Sequence, residues 1–312
     1  MKLELGRPNL EIFAETLLEL AKADRDILVV TGDSRGSGKL TRFGTELPEQ
    51  LIEVGIAEQN LIGVAAGLAS CGKKVFAVSP ACFLTARALE QVKNDVAYSD
   101  RPVTLVGISA GVSYGALGST HHSLHDFAAL RAIHNLDIVA PADNDETRAA
   151  VAAAVDHPRP LYLRFGKKAM PSLYKGGAPF SFGKANVIKQ GDDLALIAIG
   201  ETVAPALEAA VELETYGIAA RVISMHTLMP LDIEAVLQAA ECKAVITVEE
   251  HSVHGGLGEA CAAVLMQTAA LPAFHIFGIP YEYTVTGSQS DIFRHYGLSR
   301  AGLVARALEL LH

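Results

Sequence analysis

Short β-branched runs alternate with longer segments of helical spacing, and this alternation constrains the fold more than any other feature of the chain. Strands separated by helix-length segments signal a parallel sheet covered by helices. "NLEIFAETLLELAKAD" carries apolar residues at helical spacing and leads into the buried strand "DILVVTGD". "LIEVGI", "KKVFAVS", "PVTLVGISAG", "LDIVAPAD" and "PLYLRFG" read as further strands with helical segments between them. A passage punctuated by Pro, Gly and Ser follows. The alternation then resumes with "DLALIAIG", "AARVISM", "AVITVEE" and "AFHIFGIP". The fold class is α/β, with two consecutive α/β domains. A mainly parallel-sheet domain is expected over residues 1–170, a linker over 171–185, and a smaller Rossmann-like domain over 186–312.

Half of the 312 residues are hydrophobic and only 20% are charged, which suggests buried interfaces as well as large cores. The formal net charge of −9 argues against a nucleic-acid surface, which needs a basic excess. No apolar run approaches the roughly 18 residues of a membrane helix. The opening "MKLELGRPNLEIF" carries acids where a signal peptide wants an apolar stretch. Cys71, Cys82, Cys242 and Cys261 form no CxxC pair and no zinc spacing, so they read as reduced core thiols of a cytoplasmic protein.

Three local patterns invite chemistry. "VVTGDSRGSGKL" resembles a phosphate-binding loop, but the required first glycine falls on Asp33 and the required hydroxyl residue on Leu40. Glu58 stands where a strand turns into a helix, a place that the helix dipole makes favourable for any acid. The small residues beyond it (Gly63, Ala65, Ala66, Gly67, Ala69) let that helix approach another backbone closely. His121 and His125 are four apart, but no third metal ligand accompanies them. His251 and His254 flank a glycine-led helix start and read as helix-terminus or interface residues.

"GIAEQN", then "FL", "RALEQ" and "STHH", with "VEEHSVHGGLGEA" in the second half, resemble the pyrimidine-binding and C-terminal domains of the transketolase family. The likeness covers nearly the whole chain. In that family thiamine diphosphate lies between two domains, one holding the diphosphate through a metal and a Gly-Asp-Gly motif. Neither Gly-Asp pair here, at Gly32 and Gly191, is followed by Gly. The resemblance therefore implies the C-terminal subunit of a split transketolase. An N-terminal subunit with the diphosphate site and a divalent metal (Mg2+ or Ca2+) would be its partner, in a 2+2 heterotetramer. It implies that Glu58 bonds N1′ of the aminopyrimidine and promotes carbanion formation. Phe83, 25 positions later, would stack on the pyrimidine ring, and Asp33 joins the cofactor-binding set. Ser37 and Arg164 match positions that contact a substrate phosphate, and His121 one that contacts substrate oxygens.

Departures from the family narrow what is implied. An acid expected four residues before His121 is Leu117, a second histidine is replaced by Ser109 or Ala110, and an arginine expected near the first helix is Glu11, with Arg7 close by. The thiamine chemistry is thus better supported than a pentose donor, and a modified, branched or sulfonated ketose is an alternative. The expected activity is transfer of a two-carbon ketol unit from a ketose to an aldose. A 2-oxo-acid dehydrogenase β subunit or a non-catalytic scaffold are the competing readings.

Overall fold

A computed structural model of the chain describes residues 3–174, 176–268 and 271–311. Its strands are β1 (Leu5–Pro8), β2 (Ile27–Thr31), β3 (Leu51–Glu53), β4 (Lys74–Pro80), β5 (Val103–Ile108), β6 (Asp137–Val139), β7 (Leu161–Arg164), β8 (Ala169–Pro171), β9 (Asn186–Lys189), β10 (Leu194–Ala198), β11 (Ala220–Ser224), β12 (Thr227–Met229), β13 (Ala244–Ser252) and β14 (Ala273–Ile279). A seven-stranded sheet has the order β12-β6-β7-β5-β4-β2-β3. All its pairings are parallel except β12 with β6. A five-stranded sheet, β14-β13-β10-β11-β9, is parallel apart from its β9 edge. β1 and β8 form a separate antiparallel ribbon.

The central strands are apolar along their whole length because helices cover both faces. β2 and β5 are buried at every residue, as a parallel sheet between two helical layers requires. One outer layer includes the helix Asn9–Ala23, whose Phe13 packs on Phe76 and Phe165 at centroid distances of 6.5 and 5.2 Å. Each such fully buried ring contributes about 1.5–3 kcal/mol. Another apolar cluster runs unbroken from Leu61 and Leu105 in the first sheet's layers to Ile197, Ile223 and Val245 in the second sheet.

Among the described residues no helix or strand lies between β8 and β9. β12, which follows that segment in sequence, is the edge strand of the first sheet. Cys71 is exposed, whereas the other three thiols are buried. Among the described residues no helix is long and apolar enough to cross a membrane.

Candidate active site

The candidate residues arrive together because parallel strands all point the same way. Their carboxyl ends open onto one edge of the sheet, where open α/β folds bind ligands. The segment after β2 carries Asp33 and Ser37, that after β3 carries Glu58, that after β4 Phe83, that after β5 His121, and β7 ends at Arg164.

Glu58 is the first residue of the helix Glu58–Ser70 and is only 4% exposed. Arg87, at the end of the helix Ala81–Arg87, donates from Nη1 to Glu58 Oε2 at 2.5 Å. The same guanidinium lies 4.8 Å above the centre of the Phe83 ring. Phe83 meets His121 edge-on at 5.4 Å, and His121 meets Tyr114 edge-on at 5.3 Å. Lys167 Nζ then sits 4.5 Å over the Tyr114 ring. Glu58, Arg87, Phe83, His121, Tyr114 and Lys167 thus form one continuous run along the strand ends. Phe83 and Arg87 also help to line a depression of ≈ 380 Å³ with Ser119, His122 and His125.

Among the described residues several buried polar atoms around this run have no hydrogen-bond partner: Ser34 Oγ, Ser113 Oγ, Ser123 Oγ and His122 Nδ1. Buried polar atoms are rarely left unsatisfied, so these hydroxyls and the His122 nitrogen are free to bond water or a ligand. Burial lowers the His122 pKa below its ordinary value, and its Nε2 bonds Gly115 O at 2.9 Å. Burial likewise pushes the Tyr114 phenol up. Among the described residues no group of three His, Cys, Asp or Glu side chains is placed to hold a metal ion.

Asp33 and Ser37 are exposed in the glycine-rich loop, and no hydrogen bond or ion pair among the described residues joins them to the run. Lys39, the would-be phosphate lysine of that loop, pairs with Glu11 at 3.2 Å. Arg164 is engaged within the protein. It is 6% exposed, and its Nε donates to Asp126 Oδ2 at 2.7 Å. Its Nη2 donates to Glu250 O at 2.9 Å and Ser123 O at 3.2 Å, and its guanidinium lies 4.4 Å over Phe127. Asp126, fully buried and also bonded by Tyr162, demands a permanent cation at this place. His251 shares this interior, and burial lowers its pKa to about 4. The helix Glu58–Ser70 divides its small residues: Ala65, Ala66 and Ala69 face the core, whereas Gly63 and Gly67 are exposed.

Sequence reasoning alone does not single out Arg87, Tyr114 and Lys167. Arg87 stands four residues after Phe83, so one turn of helix aligns the two, and Lys167 follows a buried strand whose end faces the site.

Comparison with known proteins gives this arrangement a family. The transketolase pyrimidine-binding domain family matches residues 8–172 and the transketolase C-terminal domain family residues 183–303. The chain belongs to the transketolase family. It is a transketolase-type transferase chain with the extent of that family's separately encoded subunits. It is 50% identical over 301 residues to a subunit of the apulose-4-phosphate transketolase of Phocaeicola vulgatus, covering 96% of each chain. It is 35% identical to the 6-deoxy-6-sulfo-D-fructose transketolase subunit SqwH of Clostridium sp. strain MSTE9, covering 96% of this chain and 93% of that one. A solved split-gene transketolase, an inactive β4 tetramer, matches with a TM-score of 0.88 at 36% identity over 98% of both chains. Transketolase of Campylobacter jejuni shares the fold, with a TM-score of 0.84 at 21% identity, but this chain spans only 47% of it.

Proposed function

We propose that this chain is the C-terminal subunit of a two-subunit, thiamine diphosphate-dependent transketolase that moves a two-carbon ketol unit from a ketose to an aldose. The observation that carries the reading is the continuous run from Glu58 through Arg87, Phe83 and His121 to Lys167 along the strand ends. A partner chain carrying a Gly-Asp-Gly motif would hold the diphosphate and its divalent metal, Mg2+ or Ca2+, in a 2+2 assembly. The β4 state of the split-gene relative, described as inactive, supports dependence on such a partner.

The residues present fit the aminopyrimidine end of the cofactor. Arg87 fixes Glu58 Oε2, and among the described residues Oε1 has no hydrogen-bond partner, so Oε1 is the atom left to hold a proton at N1′. Phe83, flanked by Arg87 and His121, offers a flat apolar face for the ring. When bound, thiamine diphosphate supplies the carbon nucleophile that carries the two-carbon unit. His121, held between Phe83 and Tyr114, lies where it can bond substrate oxygens. The anionic end of the sugar falls to exposed Lys167 and to Ser37, with Asp33 beside the cofactor, and not to Arg164, whose donors serve Asp126 and two carbonyls. A ketose with an anionic phosphate or sulfonate end is the donor class, and the names of the relatives make apulose 4-phosphate and 6-deoxy-6-sulfofructose the first two to try.

The test is reconstitution with the partner subunit, followed by Glu58→Gln. The parent complex should transfer a ketol group, and the variant should assemble and bind cofactor while losing at least about 100-fold in kcat. Full turnover in the variant would remove Glu58 from the chemistry.

A further inference from the structure

Between the two sheets lies a polar bar that the chemistry above does not use. Gln289 Nε2 donates to Glu201 Oε2 and to Glu250 Oε1, both at 2.8 Å. Glu250 Oε1 also accepts the Val112 N–H at 2.8 Å, across 138 residues of sequence. All three side chains are buried. Burial pushes both carboxyls up, and the Glu201 charge adds to the shift on Glu250. A proton held near neutrality removes the repulsion that would otherwise keep two such carboxyls from one amide.

Each end of the bar presses on backbone that leaves no room for a side chain. A Cβ on Gly111 would run into Glu250 Cδ, and one on Gly166 would run into Glu201 Oε1. Gly111 opens the segment that carries Tyr114 and His121, and Gly166 precedes Lys167. The same segment has left-handed glycines at 115 (φ 50) and 118 (φ 71). A Cβ at these positions would lie 2.6 Å from Gly287 O and 2.9 Å from Thr286 Cγ2. Four points of close approach therefore mould the site segments on the C-terminal domain.

We propose that Glu201, Gln289 and Glu250 are positioning residues, a bar by which the C-terminal domain sets the separation and orientation of segments 109–123 and 165–168 over the sugar. The inference rests on the functional reading of that face given above. Its mechanism is geometric: Gln289 Nε2 ties Glu201 Oε2 to Glu250 Oε1, and removing that central donor leaves Glu201 Oε2 without its partner and Glu250 Oε1 with Val112 alone.

Two variants of the reconstituted complex test it. Gln289→Met removes the central donor and leaves Glu250 on Val112. Glu250→Gln keeps an oxygen at Oε1 for both donors. Gln289→Met should lower kcat/KM about tenfold, mainly through KM for the ketose, with thiamine diphosphate affinity unchanged, whereas Glu250→Gln should stay within about twofold of the parent. Hydrogen exchange on the isolated chain gives a second readout: amides of 109–123 should exchange at least tenfold faster in Gln289→Met, while β10 does not change. Parent-like kinetics and exchange in Gln289→Met would overturn the proposal, and so would equal damage from Glu250→Gln. If Gln289→Met does not fold, Glu250→Gln alone decides: parent-like exchange at 109–123 sustains the bar and accelerated exchange ends it. If the parent complex transfers no ketol group, the functional reading fails, and the exchange comparison still judges the bar.

Discussion

Two arginine–carboxylate pairs sit at the same end of the first sheet and differ in almost everything else. In Arg164–Asp126 the side chains are 6% and 0% exposed, and backbone carbonyls and Tyr162 satisfy both partners. In Glu58–Arg87 the arginine is 45% exposed and rests on a ring that is itself only partly covered. The first pair is closed and holds the two domains' segments together. The second is half-open, and its arginine helps to line a depression. Residue type alone does not tell a structural pair from a ligand-facing one; the exposure of the arginine and the number of its hydrogen bonds do.

The comparison breaks most sharply under truncation. Arg164→Ala leaves Asp126 buried without its cation and should cost about 3–5 kcal/mol in a urea titration. Arg87→Ala, which removes a half-exposed group, should stay under about 2 kcal/mol. Equal losses would erase the distinction.

Acid sharpens it next. Burial lowers the folded-state pKa of His251 from 6.5 to about 4, so its neutral form is favoured by folding. A depressed histidine contributes stability that is complete above its unfolded value and lost as pH falls through the folded one. Stability should therefore decline from about pH 6.5 to 4. His251→Gln should flatten that decline, and an unchanged slope in the variant would assign the loss elsewhere.

The smallest effect concerns the substrate's charge. Lys167→Ala should raise KM several-fold, by roughly 1 kcal/mol or less, for a phosphorylated ketose and little for an unphosphorylated one. An equal rise for both would leave Lys167 without an anion-binding role.

Much of this was legible in the sequence. Central strands buried on both faces must be continuous apolar runs, so β2, β4, β5 and β7 stand out between helical segments. β12 did not, because three residues between a strand and Pro230 give no period to read. Glu58, Phe83 and His121 could be assembled through short motifs spaced along the chain. The partner of Arg164 was not legible, because Asp126 lies 38 positions away. The bar was invisible for the same reason, since its bonds join residues 39, 88 and 138 apart.

The placement of β12 also bears on how the polypeptide would behave if it were cut. The amino-terminal piece released by a nick between β8 and β9 would lack its own border strand and show the bare rim of β6. Such a rim is adhesive. The carboxy-terminal piece carries the matching strip, so the severed halves are interlocked by backbone and not by the tether alone. The segment that looks like a hinge in the sequence is therefore a seam sewn through from the other side.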